Sequence, residues 1–430
     1  MCAMIGFVLF WMLLVVLSVP MAFSLAIAAT AFLLLQGQDP YIIVQRMIAG
    51  PDSFPLLAVP FFILAGNLMN STGITRRLFN FARVLVGHIP GGLGHVNVLA
   101  SVIFAGMSGS AVADAAGLGV MEIEAMVAEG YDPDFSAAIT AASATIGPII
   151  PPSIPMVLFG VLSGTSVGSL FLGGFIPGLI MGAGLMVGTY IIGVKRGYKV
   201  DRKPSIREVW VTFREAFLAL LTPVIIMGGI VAGIFTPTEA AIITVMYALL
   251  ISSVVYRSVG AQQLLGVIVD SIEFTANIMI IVAAANLFGW VITRENVPQM
   301  LTELLLSFSS NPTVIMLLIA GLVLVLGCVM EGTSMMLILV PILMPTIVRA
   351  GISPVHLGVV FVLCEMIGLI TPPFAVNLYI VSGIADISFE KAAKATLPFL
   401  AILAIVALIV TLFPQLVLFL PELVYQRLWR

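Results

Sequence analysis

The sequence predicts an all-α polytopic membrane protein with two inverted repeats, each containing five crossings, one re-entrant hairpin and a helix broken at a Pro-Pro pair. Hydrophobic residues make up 61% of the 430 residues and charged residues only 9%, whereas soluble domains carry about 25% charged residues. Basic residues concentrate in one central segment, and glycine and proline motifs recur at matching positions in the two halves. The alternating pattern of an outer-membrane barrel is absent.

The central basic segment, residues 195–214, sets the expected orientation of the chain. It holds seven of the 18 lysines and arginines, so the positive-inside rule places it in the cytoplasm. A span needs about 20 apolar residues, and counting outward from this segment gives five crossings in each half. Because five is odd, the halves must have opposite orientations, and both termini are expected in the periplasm.

The first half begins with three spans, expected near residues 4–19, 20–35 and 55–71. An amphipathic segment follows. The run around Ser108-Gly109-Ser110 is interpreted as a re-entrant hairpin, because glycine costs about 1 kcal/mol inside a helix and a simple span would place a basic cluster outside. Spans near 135–163 and 168–193 complete this half.

The second half repeats this order of elements. Three spans are expected near residues 215–234, 240–256 and 265–292. An amphipathic stretch and a hairpin broken at "EGTS", residues 331–334, come next. The last two spans are expected near residues 355–385 and 397–420.

Glycine and proline positions support the internal repeat. The segments "IGPIIPP" at 146–152 and "IGLITPP" at 367–373 match at five of seven positions with an offset of 221. At the same offset Pro133 meets Pro354. Such matches are more informative than matching leucines, because glycine and proline determine backbone geometry.

Broken helices at membrane depth indicate a binding site. Bilayer hydrocarbon cannot satisfy unpaired backbone groups, so irregular backbone persists only inside protein or beside water. Pro151-Pro152 and Pro372-Pro373 each remove two amide donors and are expected to free carbonyls about one turn upstream. Free carbonyls suit sodium, and helix ends at hairpin tips favour an anion. Two such copies are typical of a secondary transporter, although prolines can also simply kink ordinary helices.

The chain is therefore divided into five segments. Residues 1–91 are predicted to form the scaffold spans and arm helix of the first repeat, and residues 92–194 its transport elements. Residues 195–214 form the cytoplasmic connector. Residues 215–311 and 312–430 are predicted to form the scaffold part and the transport elements of the second repeat.

These residues resemble the large membrane subunit of the tripartite ATP-independent periplasmic (TRAP) transporters, within the wider ion-transporter superfamily. The resemblance covers nearly the whole chain and rests on four stretches: "PFFILAGNLMNSTGI" (60–74), "GMSGSAVADAAGLG" (106–119), "IGPIIPPSIPMVLFG" (146–160) and "ITPPFAVNLYI" (370–380). It implies an elevator-type transporter of the bacterial inner membrane that uses a sodium gradient. It also implies three partners: a small four-helix membrane subunit as a separate chain, a soluble periplasmic binding protein, and an organic acid such as sialic acid or a C4-dicarboxylate.

Two sodium sites are expected where the tips meet the broken helices. The first combines hydroxyls and carbonyls of six residues: Ser108, Gly109, Ser110, Gly147, Ile150 and Pro152. The second combines Gly332, Thr333, Gly368 and Thr371. The alternative is that the hydroxyls bond back to their own helices. Na⁺ is the only metal ion expected, and no organic cofactor is indicated.

Other polar residues are candidates for contact with substrate or with the binding protein. Asp114 is costly inside a bilayer, by about 2.5–3.5 kcal/mol, and is expected to order the first tip. Ser110 and Asn377 share the role of contacting substrate or ordering the site. The residues expected to dock the binding protein on the outer face are Ser166, Glu239 and Arg294. Ordinary loop polarity is the alternative for these three.

Two other functions compete with sodium-driven transport. Residues 106–109, "GMSG", match the Gly-x-Ser-Gly around the serine of rhomboid-type proteases, but that chemistry needs a histidine base and only His356 lies downstream. An ATPase-driven permease or channel would need a separate ATPase, because the chain has no phosphate-loop motif. The net charge of −3 implies nothing about nucleic acid, and no enzymatic activity is expected.

Overall fold

A computed structural model describes residues 2–71, 73–256 and 260–428, and the secondary structure within these ranges is entirely helical. Seven of the helices in this described part are long and apolar enough to cross a bilayer on their own. Shorter apolar helices, joined end to end at irregular segments, supply the remaining hydrophobic elements. The predicted all-α polytopic membrane fold is confirmed.

The first half contains eleven helices in its described residues. They are α1 Cys2–Val16, α2 Met21–Leu35, α3 Pro40–Ala49, α4 Ala58–Ser71, α5 Ile74–Val86, α6 Gly92–Ser108, α7 Ala111–Ala116, α8 Leu118–Ala128, α9 Pro133–Ala144, α10 Ile154–Ser163 and α11 Val167–Arg196. A 3₁₀ turn, Phe54–Leu57, leads into α4. Helix α5 carries charged residues on one face and buried apolar residues on the other, as expected for the amphipathic arm.

The second half has ten helices in the part of the chain that the structure describes. They are α12 Ile206–Val231, α13 Pro237–Leu250, α14 Ala261–Arg294, α15 Val297–Phe308, α16 Pro312–Gly327, α17 Gly332–Arg349, α18 Pro354–Gly368, α19 Val376–Ile384, α20 Phe389–Leu412 and α21 Gln415–Leu428. A π-helical turn, Ile251–Val255, extends α13.

Side-chain contacts show which helix ends lie together. We call the side of the molecule that holds residues 197–205 the connector end and the opposite side the far end. At the far end, Thr238 Oγ1 at the start of α13 donates to the carbonyl of Phe54, 3.3 Å away. At the connector end, Gln263 Nε2 at the start of α14 donates to the carbonyl of Ser71, 3.2 Å away. Helices α4, α13 and α14 therefore cross side by side between the two ends.

The two broken runs are hairpins that open at opposite ends. Tyr131, which follows α8, accepts a hydrogen bond from the backbone N–H of Leu93 and donates to the carbonyl of Lys199, each at 3.1 Å. Both ends of the first hairpin thus lie beside the connector. In the second hairpin, the hydroxyls of Thr302 on α15 and Thr346 on α17 lie 2.8 Å apart, and α15 follows the far end of α14. These opposite openings support the inverted arrangement.

The connector is anchored to the first half by ion pairs. Arg83 of the arm helix α5 binds Asp201 through two nitrogens, at 2.8 and 3.0 Å, and pairs with Glu129 at 2.7 Å. The hydrogen bond to Asp201 is the main cause that raises the pKa of Arg83 above its ordinary value. Nearby, Arg196 at the end of α11 pairs with Asp132 at 2.7 Å. The arm helix, the exit of the first hairpin and the connector are thereby joined.

Replacing Asp132 with asparagine should alter the response of the protein to acid. Hydrogen bonds from Tyr198 and Arg196 lower the pKa of this carboxyl group below its ordinary value. Its contribution to stability is therefore present above about pH 3.9 and is lost as the pH falls through the lowered value. Thermal unfolding in detergent between about pH 5 and pH 3 should depend less on pH in Asp132→Asn than in the wild type.

The matched control is Asp52→Asn, because the Asp52 carboxylate makes no hydrogen bond or ion pair among the described residues. That variant should keep the wild-type dependence on pH. Identical pH profiles for Asp132→Asn and the wild type would show that the Arg196 contact does not contribute to folding stability.

Two of the predicted boundaries are wrong. The second hairpin breaks at residues 328–331, not 331–334, because the Glu331 carboxylate accepts hydrogen bonds from the N–H groups of Thr333 and Ser334, at 2.9 and 2.8 Å, and so starts α17 at Gly332. The last span ends at Leu412 instead of continuing to 420. Pro414 lacks an amide donor and interrupts the helix there, and α21 packs against α11 and α18.

Candidate ion and substrate site

The first hairpin tip is bonded directly to the broken helix of its own half. Helix α6 ends at Ser108, and Gly109 adopts a left-handed conformation with φ of 64°. A side chain at Gly109 would lie 2.6 Å from the carbonyl oxygen of Pro152, so only glycine fits here. The carbonyl of Gly109 accepts a hydrogen bond from the N–H of Ile154 at 3.3 Å. The tip and the break therefore form one unit.

The second tip makes the equivalent contact in the other half. The carbonyl of Cys328 accepts a hydrogen bond from the N–H of Phe374 at 3.1 Å. The ends of α16 and α18 also approach closely, since a side chain on Gly368 would lie 2.6 Å from the carbonyl of Gly327. Both Pro-Pro peptide bonds are cis. Each hairpin is thus tied to the Pro-Pro segment of its own half.

The carbonyl groups near the two Pro-Pro pairs are not equivalent. The carbonyl oxygens of Gly147 and Ile150 accept no hydrogen bond from any residue that the structure describes. In contrast, the carbonyl of Gly368 accepts from the N–H of Thr371 at 3.0 Å, and that of Leu369 accepts from the N–H of Asn377 at 3.1 Å. The two breaks therefore differ at Gly147 and its counterpart Gly368, which keeps only its second lone pair, whereas the carbonyls of Ile150 and its counterpart Thr371 both accept no hydrogen bond among the described residues.

Asp114 joins the first tip to the first break. Its side chain is 2% exposed, and its Oδ1 accepts a hydrogen bond from Ser108 Oγ. Its Oδ2 has no partner among the described residues. This oxygen lies so close to Gly147 that a side chain there would collide with it. The carboxylate thus faces the free carbonyl segment at which a sodium ion is expected.

Glu365 occupies the corresponding place in the second half and is not among the site residues predicted from the sequence. This glutamate on α18 is 5% exposed, and its Oε2 has no partner in the described parts of the chain. A side chain on Gly332 at the second tip would collide with its carboxylate. The roles are exchanged between halves: Asp114 lies on a hairpin and faces a break, whereas Glu365 lies in the broken helix and faces a hairpin tip.

A cavity of about 230 Å³ lies between the two tips, with one wall formed by the scaffold helix α14. Its lining includes Ser110, Glu331, Thr333 and Glu365. The residues lining this cavity include no lysine, arginine or histidine. A second cavity, about 240 Å³, adjoins the first tip on the connector side and is lined by Ser108, Ser110, Asn67 and Asp270 among others. Both spaces are mainly apolar, and the charged side chains that line them are carboxylates.

The remaining predicted residues occupy separate places. Asn377 is fully buried at the start of α19, with both polar side-chain atoms unpartnered in the described structure. Thr371 donates its hydroxyl to the carbonyl of Ile367 at 2.7 Å, which is the local bonding that competes with an ion site. The three docking candidates lie at the far end. Ser166 is the N-cap of α11, and the Glu239 carboxylate accepts a hydrogen bond from the N–H of Thr236, the N-cap of α13.

The protease alternative lacks its base in this geometry. Ser108 Oγ donates to Asp114, whereas His95 and His356 contact the carbonyls of Pro90 and Val410. No histidine contacts Ser108 in the part of the chain that is described.

Comparison with known proteins shows the family of the chain. Residues 7–416 match the family model of the tripartite ATP-independent periplasmic transporter, DctM component. The chain belongs to this family. It is 49% identical to the sialic acid TRAP transporter large permease protein SiaM of Vibrio cholerae, over 98% of this chain and 99% of that protein. It is 38% identical to the C4-dicarboxylate TRAP transporter large permease protein DctM of Pseudomonas aeruginosa, over 88% of each.

The fold of this TRAP large permease also resembles a solved transporter structure. The YdaH transporter of Alcanivorax borkumensis superimposes with a TM-score of 0.66, 14% sequence identity and coverage of 86% of both chains. At that identity the likeness shows the fold alone. Membership in the TRAP family identifies the chain as a membrane-embedded transporter component.

Proposed function

We propose that this chain imports a small organic acid, of the sialic acid or C4-dicarboxylate type, by coupling its movement to sodium ions. The observation that carries the proposal is the cavity between the tips. It is lined by Glu331 and Glu365 and has no basic lining residue. An organic anion entering this space would meet carboxyl groups and no lining cation, so we expect a cation to bind with it.

The proposed sodium ligands are the tip and break residues predicted above. At site 1, the free carbonyls of Gly147 and Ile150 lie in the segment faced by Asp114. At site 2, Glu365 faces Gly332 and supplies negative charge next to Thr333 and the Gly368–Thr371 segment. Hard cations prefer such oxygen ligands. Ser110 and Asn377 remain the candidates for contact with the substrate.

The movement proposed is an elevator. Each tip is hydrogen-bonded to the broken helix of its own half, which favours a single rigid body containing both hairpins. The scaffold helix α14 lines spaces on both sides of the tips. A body that slides along this wall would expose the same site to either side of the membrane without rebuilding it.

The partners and orientation belong to the same proposal. A separate small four-helix membrane subunit and a periplasmic binding protein complete the transporter in the bacterial inner membrane. The connector lies in the cytoplasm, and the far end, with Ser166, Glu239 and Arg294, faces the periplasm and the binding protein. Rim charges of this kind influence association rate and register more than affinity.

Uptake in proteoliposomes that hold this chain, the small subunit and the binding protein tests the coupling. Uptake of sialic acid or a C4-dicarboxylate should require an inward sodium gradient and should not depend on ATP. Asp114→Asn should raise the half-saturating sodium concentration by about tenfold, equivalent to about 1.4 kcal/mol, because the tip loses a charged partner. Ser110→Ala should also reduce uptake.

The matched control for these variants is Ser307→Ala, an exposed hydroxyl on α15 that lies outside the tips. It should transport like the wild type. Equal uptake in potassium-only buffer, at fixed membrane potential and pH, would exclude sodium coupling. A requirement for ATP would favour the ATPase-driven alternative.

A further inference from the structure

A third cavity, of about 420 Å³, lies at the far end of the molecule and differs in charge from the spaces at the tips. Helices α3 and α14 form its scaffold wall, and α10 and α17 form the opposite wall. Arg46 is the only charged residue among those that line it. Its other polar lining residues are Ser53, Asn286, Trp290 and Thr293. The volume falls within the range of about 300–1,000 Å³ that is typical of small-molecule pockets.

Arg46 is held in position by contacts between α3 and α14. Asn286 Nδ2 donates to the carbonyl of Arg46 at 2.8 Å. Gly50, one turn further on, approaches α14 so closely that a side chain would lie 2.9 Å from Cβ of Asn286 and 3.0 Å from the carbonyl of Val282. The guanidinium of Arg46 stacks over the ring of Trp290, 5.2 Å from its centroid. Packing and stacking therefore orient the cation before any ligand arrives.

A second cation shares the same aromatic ring. The guanidinium of Arg294 lies 5.5 Å from the centroid of Trp290. Neither Arg46 nor Arg294 has a carboxylate within 4.0 Å in the described residues. Because neither guanidinium is neutralised by a carboxylate, an anion bound at Arg46 would be attracted by both positive charges. One unneutralised cation thus lines a preformed pocket, and a second lies against the same indole outside the lining; this arrangement is expected of an anion site.

We infer that this far-end cavity is a vestibule site that binds the carboxylate of the organic acid before it reaches the hairpin tips, an inference that rests on the proposed function. Arg46 would bind the carboxylate with two parallel hydrogen bonds. Asn286, Thr293 and Ser53 offer further polar contacts, and apolar side chains of α10 and α17 cover the opposite wall. The substrate thus passes from a basic vestibule to an acidic cavity that needs bound cations.

Trp290 provides a direct reporter of occupancy. The chain has four tryptophans, and a variant with the other three replaced by phenylalanine leaves this residue as the sole tryptophan. The probes are sialic acid and a C4-dicarboxylate, titrated in potassium-only buffer so that a sodium-dependent tip site stays empty. One of the acids should change the fluorescence saturably, and Arg46→Gln should weaken that response by about tenfold. Arg349→Gln, an exposed far-end arginine outside the cavity, should leave it unchanged.

Transport assays give a second readout that does not depend on the tryptophan replacements. In the otherwise wild-type chain, Arg46→Gln should raise the half-saturating substrate concentration several-fold and leave the half-saturating sodium concentration unchanged. Arg46→Lys should recover only part of the loss, because lysine keeps the charge but not the fork geometry. If the single-tryptophan variant does not fold, equilibrium binding of radiolabelled acid to wild type and Arg46→Gln in potassium buffer replaces the titration.

The inference is overturned if Arg46→Gln binds and transports like the wild type. It is also overturned if inorganic phosphate produces the saturable response while both acids produce none, since that identifies a phosphate site such as a lipid headgroup pocket. Neither of these two results tests the proposed sodium coupling. Conversely, if uptake by the wild type does not depend on sodium, the proposed function is refuted, whatever the result of the fluorescence titration.

Discussion

Gly332→Ala should reduce sodium-driven uptake by about tenfold or more, because the added methyl group would overpack the contact between the second tip and Glu365. A side chain at this position collides with the carboxylate of Glu365. Either the second tip must move away from α18 or the carboxylate must leave its position, and both changes disturb the cavity between the tips. Uptake in proteoliposomes over a range of sodium concentrations measures the loss, and a monodisperse elution profile in detergent establishes that the variant is folded.

Gly321→Ala is the control for this substitution. Gly321 lies on α16 of the same hairpin and has no atom within 4 Å of the position that a side chain would take. It should transport normally, and the added side chain should slightly favour the helix. If Gly332→Ala keeps the wild-type sodium dependence, the second tip can accommodate a methyl group beside Glu365. The close contact would then not be needed for transport.

A double variant separates crowding from the need for a carboxylate. Glu365→Ala removes the group that the new methyl would strike. If Gly332→Ala acts only by crowding, the combination with Glu365→Ala should recover uptake. We expect it to remain inactive, because Glu365 is proposed to supply charge beside the second sodium ion.

Cross-linking the walls of the far-end cavity should abolish transport completely. Leu162 on α10 and Ala285 on α14 lie on opposite walls of this cavity, one on the proposed moving body and one on the scaffold. Cysteines at both positions, in a chain whose three native cysteines are replaced by alanine, can be joined by a reducible thiol cross-linker. Because the proposed movement slides these walls past each other, the linked protein should be inactive and reduction should restore uptake.

The control pair keeps one of these cysteines and places the other on the same wall. Ala49 and Ala285 both line the scaffold side of the cavity, so linking them should not prevent movement. Efficient cross-linking of Leu162 to Ala285 with continued wild-type uptake would exclude a rigid-body elevator. A local gate at one hairpin would then be the better explanation.

Breaks in the helices were predictable from the sequence, whereas contacts between them were not. Helices are interrupted by the backbone freedom of glycine and by the missing amide donor of proline. Both effects are local, so the breaks at residues 108–110 and at the two Pro-Pro pairs can be predicted from the sequence. The exact start of α17 depended on which atoms the Glu331 side chain caps. The sequence does not show whether the Glu331 carboxylate caps the helix or faces the cavity.

Glu365 shows a further limit of reasoning from an internal repeat. At the offset of 221, its counterpart is Ala144, so alignment of the halves gives no reason to select it. Its isolated position in the apolar run "PVHLGVVFVLCEMIG" was the available signal, since a charged residue inside a membrane helix indicates function by default. The contact with Gly332 spans 33 positions and required the fold.

The Arg83 anchor has a consequence for the distance that the transporter can travel. Arg196 ends a helix of the proposed moving body, and Ser205 starts the scaffold helix α12. With Asp201 held by Arg83 of the arm helix, the free segment between Arg196 and this anchor is only five residue steps, about 17 Å when fully extended. If that ion pair opens, the free segment extends from Arg196 to Ser205, which is nine residue steps or about 31 Å when fully extended. In the proposed elevator movement, the connector would therefore allow a shorter displacement while the ion pair is closed and a longer one once it opens.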